Sequence, residues 1–239
     1  MILRRGRILL VSATVSIGLI AGCGSPSAAP PAAGASGHPS ASSAVAQIED
    51  PGCLTAGEKV VRFPGGDGTL PGVMLGAGSV GIIFGHQTNG SMCQWIATAR
   101  TYAAKGYRTL VFDFAGFGLA QQTTSATTTA DVVSAAMYLK TLGVTRIALV
   151  GASFGGAAVV TASVTAELPV AAVVSLSGST QLRTTEEPAK AAARLTAPLF
   201  CTAARTDGRG AYADVATRMC ASNSPGPRQL LIEIGRAHV

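Results

Sequence analysis

The sequence predicts an α/β protein built on a doubly wound, mostly parallel sheet of about eight strands. Short apolar runs, which are typical of buried strands, alternate along the chain with small-residue segments of helical periodicity. A Ser/Ala/Pro/Gly-rich stretch lies near the N-terminus, and the roughly 190 residues that follow it are the size of one domain. No internal repeat interrupts this order.

Most consecutive strand-like runs are separated by a helical segment, and such a crossover is what a parallel connection requires. The first two runs are joined instead by the glycine-rich turn 65–68, which predicts an antiparallel hairpin at one sheet edge. The eight runs are centred near Val60, Val73, Ile82, Val111, Leu149, Val173, Leu199 and Leu231, and the helical segments are 92–104, 129–142, 154–165, 189–195 and 212–221.

The segment Gly151-Ala152-Ser153-Phe154-Gly155 joins an apolar strand-like run to a small-residue helical stretch. A serine on a sharp strand-to-helix turn needs neighbours without side chains two positions away, because those backbones nearly touch. Gly151 and Gly155 meet that need. The Phe154 N–H and the positive end of the helix dipole would then face a developing oxyanion. The pattern favours a nucleophile elbow over a turn with an incidental serine.

From about Glu58 onward the chain resembles the α/β-hydrolase family. The run 79–84 leads into a loop at His86 that resembles the family's His-Gly loop, whose backbone supplies the second oxyanion-hole N–H. Gln87 stands where the family has glycine, so the resemblance implies Thr88 as the donor and Gln87 as the alternative. Asp113 ends the next run in a turn similar to the family's Asp-x-x-Gly-x-Gly, where a structural role is expected. The resemblance implies an α/β-hydrolase fold with a minimal lid.

The resemblance also implies that an acid and a histidine follow the serine in that order. Asp207 lies in a polar turn after the strand-like run 198–203 and is the predicted acid; the alternative is a turn or helix-capping aspartate. Glu186, Glu187 and Asp214 are weaker candidates, because the first two lie in a charged helix start and the third inside a helical segment.

Chain order leaves His238 as the predicted base, since His38 lies in the low-complexity stretch and His86 precedes the serine. Residues 235–238 resemble the family's Gly-x-x-His turn. The family continues past this histidine with a helix, and here that helix is missing. A second interpretation competes: residues 234–239 are also what one frame of a common sequencing adaptor encodes. On that hypothesis the native chain runs only to about Glu233, and the authentic base lies beyond it.

The N-terminus resembles a bacterial lipoprotein signal peptide. Three arginines among the first seven residues precede an apolar stretch too short to span a bilayer in the ordinary way, and the stretch ends at a lipobox-like Leu-Ile-Ala-Gly-Cys23. The expected organisation is a signal peptide over 1–22, a disordered tether over 23–46 and a hydrolase domain over 47–239. Lipid on Cys23 would anchor the protein to the membrane outside the cytoplasm. An ordinary secretory signal or an uncleaved anchor is the alternative.

Net charge and cysteine content limit which partners and cofactors the sequence implies. The formal charge of +6 falls to +3 without the three leader arginines, and no basic-aromatic pattern is present, so nucleic acid is not an expected partner. Four cysteines beyond Cys23 allow three pairings, of which Cys53 with Cys93 and Cys201 with Cys220 are expected. No spacing typical of zinc sites occurs, and no metal or other cofactor is implied.

These features predict a serine hydrolase that cleaves small-molecule carboxylic esters through an acyl-enzyme. Only about twenty residues separate the strands near Val173 and Leu199, where many relatives insert a lid, and this short segment favours short or soluble acyl groups. Amidase or peptidase activity would use the same machinery. The alternative from another class is a non-catalytic, surface-displayed binding protein with the same fold. The sequence does not indicate an oligomeric state.

Overall fold

The structure is a computed structural model that describes residues 50–66, 68–123, 126–165, 167–180 and 183–235. The predicted signal peptide, Cys23, the tether and His238 lie outside these residues. Among the residues described, no helix is both long and apolar enough to cross a bilayer.

Eight strands form one sheet, and every strand expected from the sequence is present. The strand at the centre of the site, β5, is buried at alternate positions and half-buried between them, as expected for a strand covered on both faces. The strands are β1 (Val60–Pro64), β2 (Thr69–Leu75), β3 (Val80–Gly85), β4 (Arg108–Phe112), β5 (Arg146–Ala152), β6 (Val170–Leu176), β7 (Leu199–Ala204) and β8 (Arg228–Glu233).

The strand order is β1-β2-β4-β3-β5-β6-β7-β8. The predicted hairpin is confirmed: β1 pairs with β2 in antiparallel fashion, as does β2 with β4, and all later pairs are parallel. After β3 the chain adds β4 on one side and then returns to add β5 on the other side. Open α/β sheets bind ligands at such a reversal, outside the carboxyl ends of the strands. The ends of β3 and β5 therefore mark the expected site.

Within the described ranges, five α-helices connect the strands, close to where the sequence predicts them. The expected helix over 92–104 divides at Trp95 into a short 3₁₀ helix, Met92–Gln94, and α1, because the Ser91 side chain caps the first turn separately. The α3 helix is buried at all nine positions, which explains why it has no polar face. The helices are α1 (Ile96–Ala104), α2 (Thr128–Thr141), α3 (Phe154–Ala162), α4 (Pro188–Ala192) and α5 (Ala211–Cys220).

The sheet separates two hydrophobic cores. The larger core fills the space between the sheet and α2 to α5, and the smaller one lies beneath α1. Each core contains one disulfide: Cys53–Cys93, with Cα atoms 5.6 Å apart, lies in the smaller core, and Cys201–Cys220, with Cα atoms 6.2 Å apart, joins β7 to α5 in the larger one. Both expected pairings are confirmed.

Candidate active site

Ser153 occupies the junction between β5 and α3 in a strained backbone conformation, with φ 50° and ψ −112°. Non-glycine residues adopt such angles at a cost of about 1–3 kcal/mol, and only where the surroundings impose them. Here the Ser153 N–H donates to Leu176 O at 2.8 Å, and the Ser153 carbonyl accepts from Ala157 N and Ser179 N. Ser153 is buried, with 7% of the residue exposed.

The two glycines that flank this turn have no space for side chains. A Cβ on Gly151 would lie 2.2 Å from Gly155 O, and a Cβ on Gly155 would lie 2.3 Å from Gly85 O. Both clashes are with backbone atoms, which cannot move aside without displacing α3 or β3. The close approach of β3, β5 and α3 therefore explains the Gly-x-Ser-x-Gly spacing.

Two backbone segments border Ser153 and could donate to an oxyanion. Phe154 N–H begins α3, where the first amides lack partners inside the helix and carry the positive end of the dipole. The loop after β3 turns at 87–90, with Gly90 N–H donating to Gln87 O at 3.0 Å. Gln87 N–H donates to Gln94 Oε1 at 2.9 Å and is therefore occupied, whereas Thr88 N–H has no acceptor among the described residues.

His86 is fully buried, and both of its ring nitrogens are bound to backbone groups. Nε2 accepts from Phe114 N–H at 3.1 Å, so Nδ1 carries the proton that it donates to Gln87 O at 2.7 Å. Burial lowers the pKa of His86, although the Gln87 carbonyl and the nearby Asp113 oppose that shift. His86 is thus a neutral structural link and has no nitrogen left to accept a proton from Ser153.

The buried carboxyl groups of Asp113 and Asp131 hold loops at the same edge of the sheet as His86. Asp113 accepts from Met92 N–H at 2.6 Å and Leu119 N–H at 2.7 Å, and Asp131 accepts from Ala115 N–H at 3.0 Å. Burial raises the pKa of both groups, while these hydrogen bonds act in the opposite direction. The contacts give Asp113 the structural role that the sequence favoured.

Asp207 follows β7 and is 5% exposed. Its turn lies beside the chain after β8, because Arg205 N–H donates to Glu233 O at 2.8 Å and the Thr206 hydroxyl donates to Gly235 O at 2.7 Å. The carboxyl ends of β5 and β7 are two strand spacings apart, roughly 10 Å. Ser153 and Asp207 therefore follow strands that end at the same edge of the sheet.

The weaker acid candidates occupy other surroundings. Glu186 forms an ion pair with Arg194 at 2.6 Å, and this hydrogen-bonded guanidinium lowers the pKa of the carboxyl. Glu187 caps the start of α4 through its backbone, and Asp214 is exposed on α5. Within the described ranges, no cluster of three or more His, Cys, Asp or Glu side chains could hold a metal ion.

A cavity of about 300 Å³ is lined by residues that contact or follow the two candidate residues in the chain. Ser179, whose N–H donates to Ser153 O, forms part of one wall, and Gly208, which follows Asp207, forms part of another. Val215 contributes apolar surface. Sequence patterns missed Ser179 because its contact with Ser153 depends on β6 ending beside β5, which no local motif encodes.

Comparison with known proteins supports the architecture. A family model described as alpha/beta hydrolase fold matches residues 82–200. An esterase from Pyrococcus furiosus aligns with a TM-score of 0.61 at 15% identity, covering 75% of this chain and 82% of that one. A Pseudomonas aeruginosa hydrolase aligns with a TM-score of 0.61 at 16% identity, covering 75% and 92%. An acetyl xylan esterase from Paenibacillus aligns with a TM-score of 0.60 at 13% identity, covering 74% of this chain and 77% of that one. A search of curated proteins found no match.

Proposed function

We propose that this protein, which has the α/β-hydrolase fold, is a serine hydrolase that cleaves carboxylic esters through an acyl-enzyme. The observation that carries the proposal is Ser153, held with φ 50° between β5 and the N-terminus of a fully buried helix. Strained backbone concentrates at functional sites. Ser153 directly follows β5, at the edge of the sheet where the order of the strands reverses.

In the proposed reaction the Ser153 Oγ attacks the ester carbonyl while a histidine takes its proton. The Phe154 and Thr88 N–H groups receive the negative charge that develops on the carbonyl oxygen. The imidazolium returns the proton to the leaving alkoxide, and water then releases the acid by the same steps. Asp207 orients the imidazole and stabilises its charged form.

His238 is the proposed base. Gly235 is hydrogen-bonded to Thr206, the residue before Asp207, and three further residues reach at most roughly 10 Å. That reach includes the turn that carries Asp207. The competing interpretation, in which residues 234–239 are not native, would assign the base to a histidine of the same turn outside this sequence.

The cavity lined by Ser179 and Gly208 favours small acyl groups as substrates. Its volume of about 300 Å³ and its partly apolar lining suit a short acyl chain, and Tyr212 and Val215 lie on its walls. Ester and amide cleavage use the same groups, so the leaving group is the property that the activity test must vary.

The test is labelling by a fluorophosphonate together with hydrolysis of p-nitrophenyl acetate and butyrate. Ser153→Ala should abolish both, and Asp207→Asn should lower turnover about 10⁴-fold because a neutral partner permits the wrong imidazole tautomer. Ser163→Ala is the matched control, since Ser163 lies just beyond the other end of α3 and is equally buried at 7%. Labelling that persists in Ser153→Ala would remove the proposed nucleophile, and an unreactive wild type would favour the binding-protein alternative.

We also propose that the protein is lipid-anchored outside the cytoplasm through Cys23. The lipobox-like sequence supports this location, as do the two disulfides, because structural disulfides persist mainly in oxidising compartments. Mass spectrometry of the mature protein should find a diacylglyceryl-modified Cys23 as the first residue. An unmodified N-terminus at any other residue would contradict the anchor.

A further inference from the structure

We infer that Gln94 is a positioning residue for the oxyanion hole, an inference that rests on the proposed function of Ser153. Gln94 lies at the end of the 3₁₀ helix Met92–Gln94, and its Oε1 accepts a hydrogen bond from Gln87 N–H at 2.9 Å. This side chain thereby connects the helix to the loop that carries Thr88.

The peptide group between His86 and Gln87 is held on both of its sides. Its carbonyl accepts from Gly155 N–H at 3.1 Å, in the nucleophile turn, and its N–H donates to Gln94. Because a trans peptide is planar and its C=O and N–H point in opposite directions, two partners on opposite sides fix its rotation. The hydrogen bond to Gln94 is therefore one of the two that orient this peptide group, and the other is the bond from Gly155 in the turn at Ser153.

The next peptide group, between Gln87 and Thr88, is oriented by its carbonyl. Gln87 O accepts from His86 Nδ1 at 2.7 Å and from Gly90 N–H at 3.0 Å. By the same planarity, Thr88 N–H points away from the His86 ring. Gln94 thus occupies the N–H of Gln87 and helps to hold the loop in the conformation in which Thr88 N–H lacks an acceptor among the described residues.

Gln94 can act as an anchor because the 3₁₀ helix is itself fixed. Met92 N–H donates to Asp113 Oδ1 at 2.6 Å, Cys93 is joined to Cys53, and the Trp95 indole donates to Gly85 O at 3.1 Å. Gly90 leaves the approach clear, since a Cβ there would lie 2.9 Å from Gln94 Oε1.

Apart from the contact with Gln94, the solvent-facing side of the turn at 87–90 has little packing to hold it. Thr88 and Asn89 are exposed, and Asn89 has a positive φ of 62°, so packing contributes little to the conformation. A single hydrogen bond of this kind has a modest net effect, and its loss should lower kcat about threefold to tenfold. KM should stay unchanged, because the oxyanion forms only in the transition state.

The test compares the wild type with Gln94→Met, which keeps the length of the side chain but removes the acceptor. Gln229→Met is the matched control, because Gln229 is an exposed glutamine on β8, remote in the sheet order from β3. The measurements are kcat and KM for p-nitrophenyl acetate, the Tm, and the hydrogen-exchange rate of the Gln87 amide in the full chain.

The expected result for Gln94→Met is a lower kcat, an unchanged KM and Tm, and faster exchange at Gln87, with none of these changes in Gln229→Met. An unchanged kcat, or a fall in kcat that only accompanies a fall in Tm, would overturn the positioning role. If the wild type has no turnover, the proposed function of Ser153 fails, and the exchange rate at Gln87 still decides whether Gln94 holds the loop.

Discussion

Gly155 packs against the last carbonyl of β3 with no space for a methyl group. The nearest atoms to an added Cβ would be Gly85 O at 2.3 Å and His86 O at 2.7 Å, both of which belong to the backbone where β3 leads into the following loop. Any larger residue must therefore push α3 away from β3 and displace Ser153.

We expect Gly155→Ala to destabilise the fold by about 1–3 kcal/mol through overpacking. Its turnover should be well below that of the wild type. Gly68→Ala is the control, because no atom lies within 4 Å of a Cβ placed there and its φ is not positive. Urea unfolding and ester hydrolysis measure the two effects. Equal stability of the two variants would show that β3 and α3 are not as closely packed as described.

At the scale of elements, His86 joins the ends of three of them. Its ring accepts from Phe114 N–H after β4, its own backbone continues β3, and its carbonyl binds Gly155 N–H at the start of α3. Protonation of Nε2 would remove the acceptor for Phe114 N–H. Protonation of His86 at low pH would therefore break the hydrogen bond that joins the segment after β4 to the end of β3.

Burial lowers the pKa of His86 below its ordinary value of 6.5. The unfolded chain consequently binds more protons than the folded chain as the pH falls through about 6.5, and stability is lost in that window until the folded pKa is passed. The wild-type free energy of unfolding should fall more steeply between pH 7.5 and 5.5 than that of His86→Asn. Because His38 and His238 are present in both proteins, parallel slopes would mean that His86 is not held neutral.

At the scale of the whole molecule, part of the sheet has an apolar face without a covering helix among the described residues. The helices that pack closely on β6 to β8 lie on the face that bears Leu199 and Cys201. On the opposite face Val174 and Phe200 are half-buried, and Leu231 of the edge strand is 44% exposed. Exposed apolar edge strands promote association.

Leu231→Thr should therefore reduce self-association while changing the free energy of unfolding by no more than about 0.5 kcal/mol, as is usual for surface positions. Leu149→Ala, at a fully buried position of β5, should cost about 2–5 kcal/mol. Light scattering after size-exclusion chromatography and urea unfolding give the two readouts. Unaltered association of Leu231→Thr would show that this edge does not mediate contacts.

Sequence patterns predicted the features that depend on neighbouring residues. Strand and helix periodicity placed all eight strands and the hairpin, and the spacing of Gly151, Ser153 and Gly155 indicated a close approach of backbones that the fold contains. Such patterns are legible because the backbone geometry of a turn restricts the residues within it. The catalytic roles of Ser153, Asp207 and His238 stay predictions, and the last lies outside the described residues.

The contacts between groups far apart in the chain became visible in the folded structure. It chose one of three possible cysteine pairings, brought Ser179 and Gln94 to the site, and showed that backbone groups occupy both nitrogens of His86. These contacts follow from the order of strands in the sheet, where β3 lies between β4 and β5. That order is fixed by the packing of the helices and the cores, which no local pattern records.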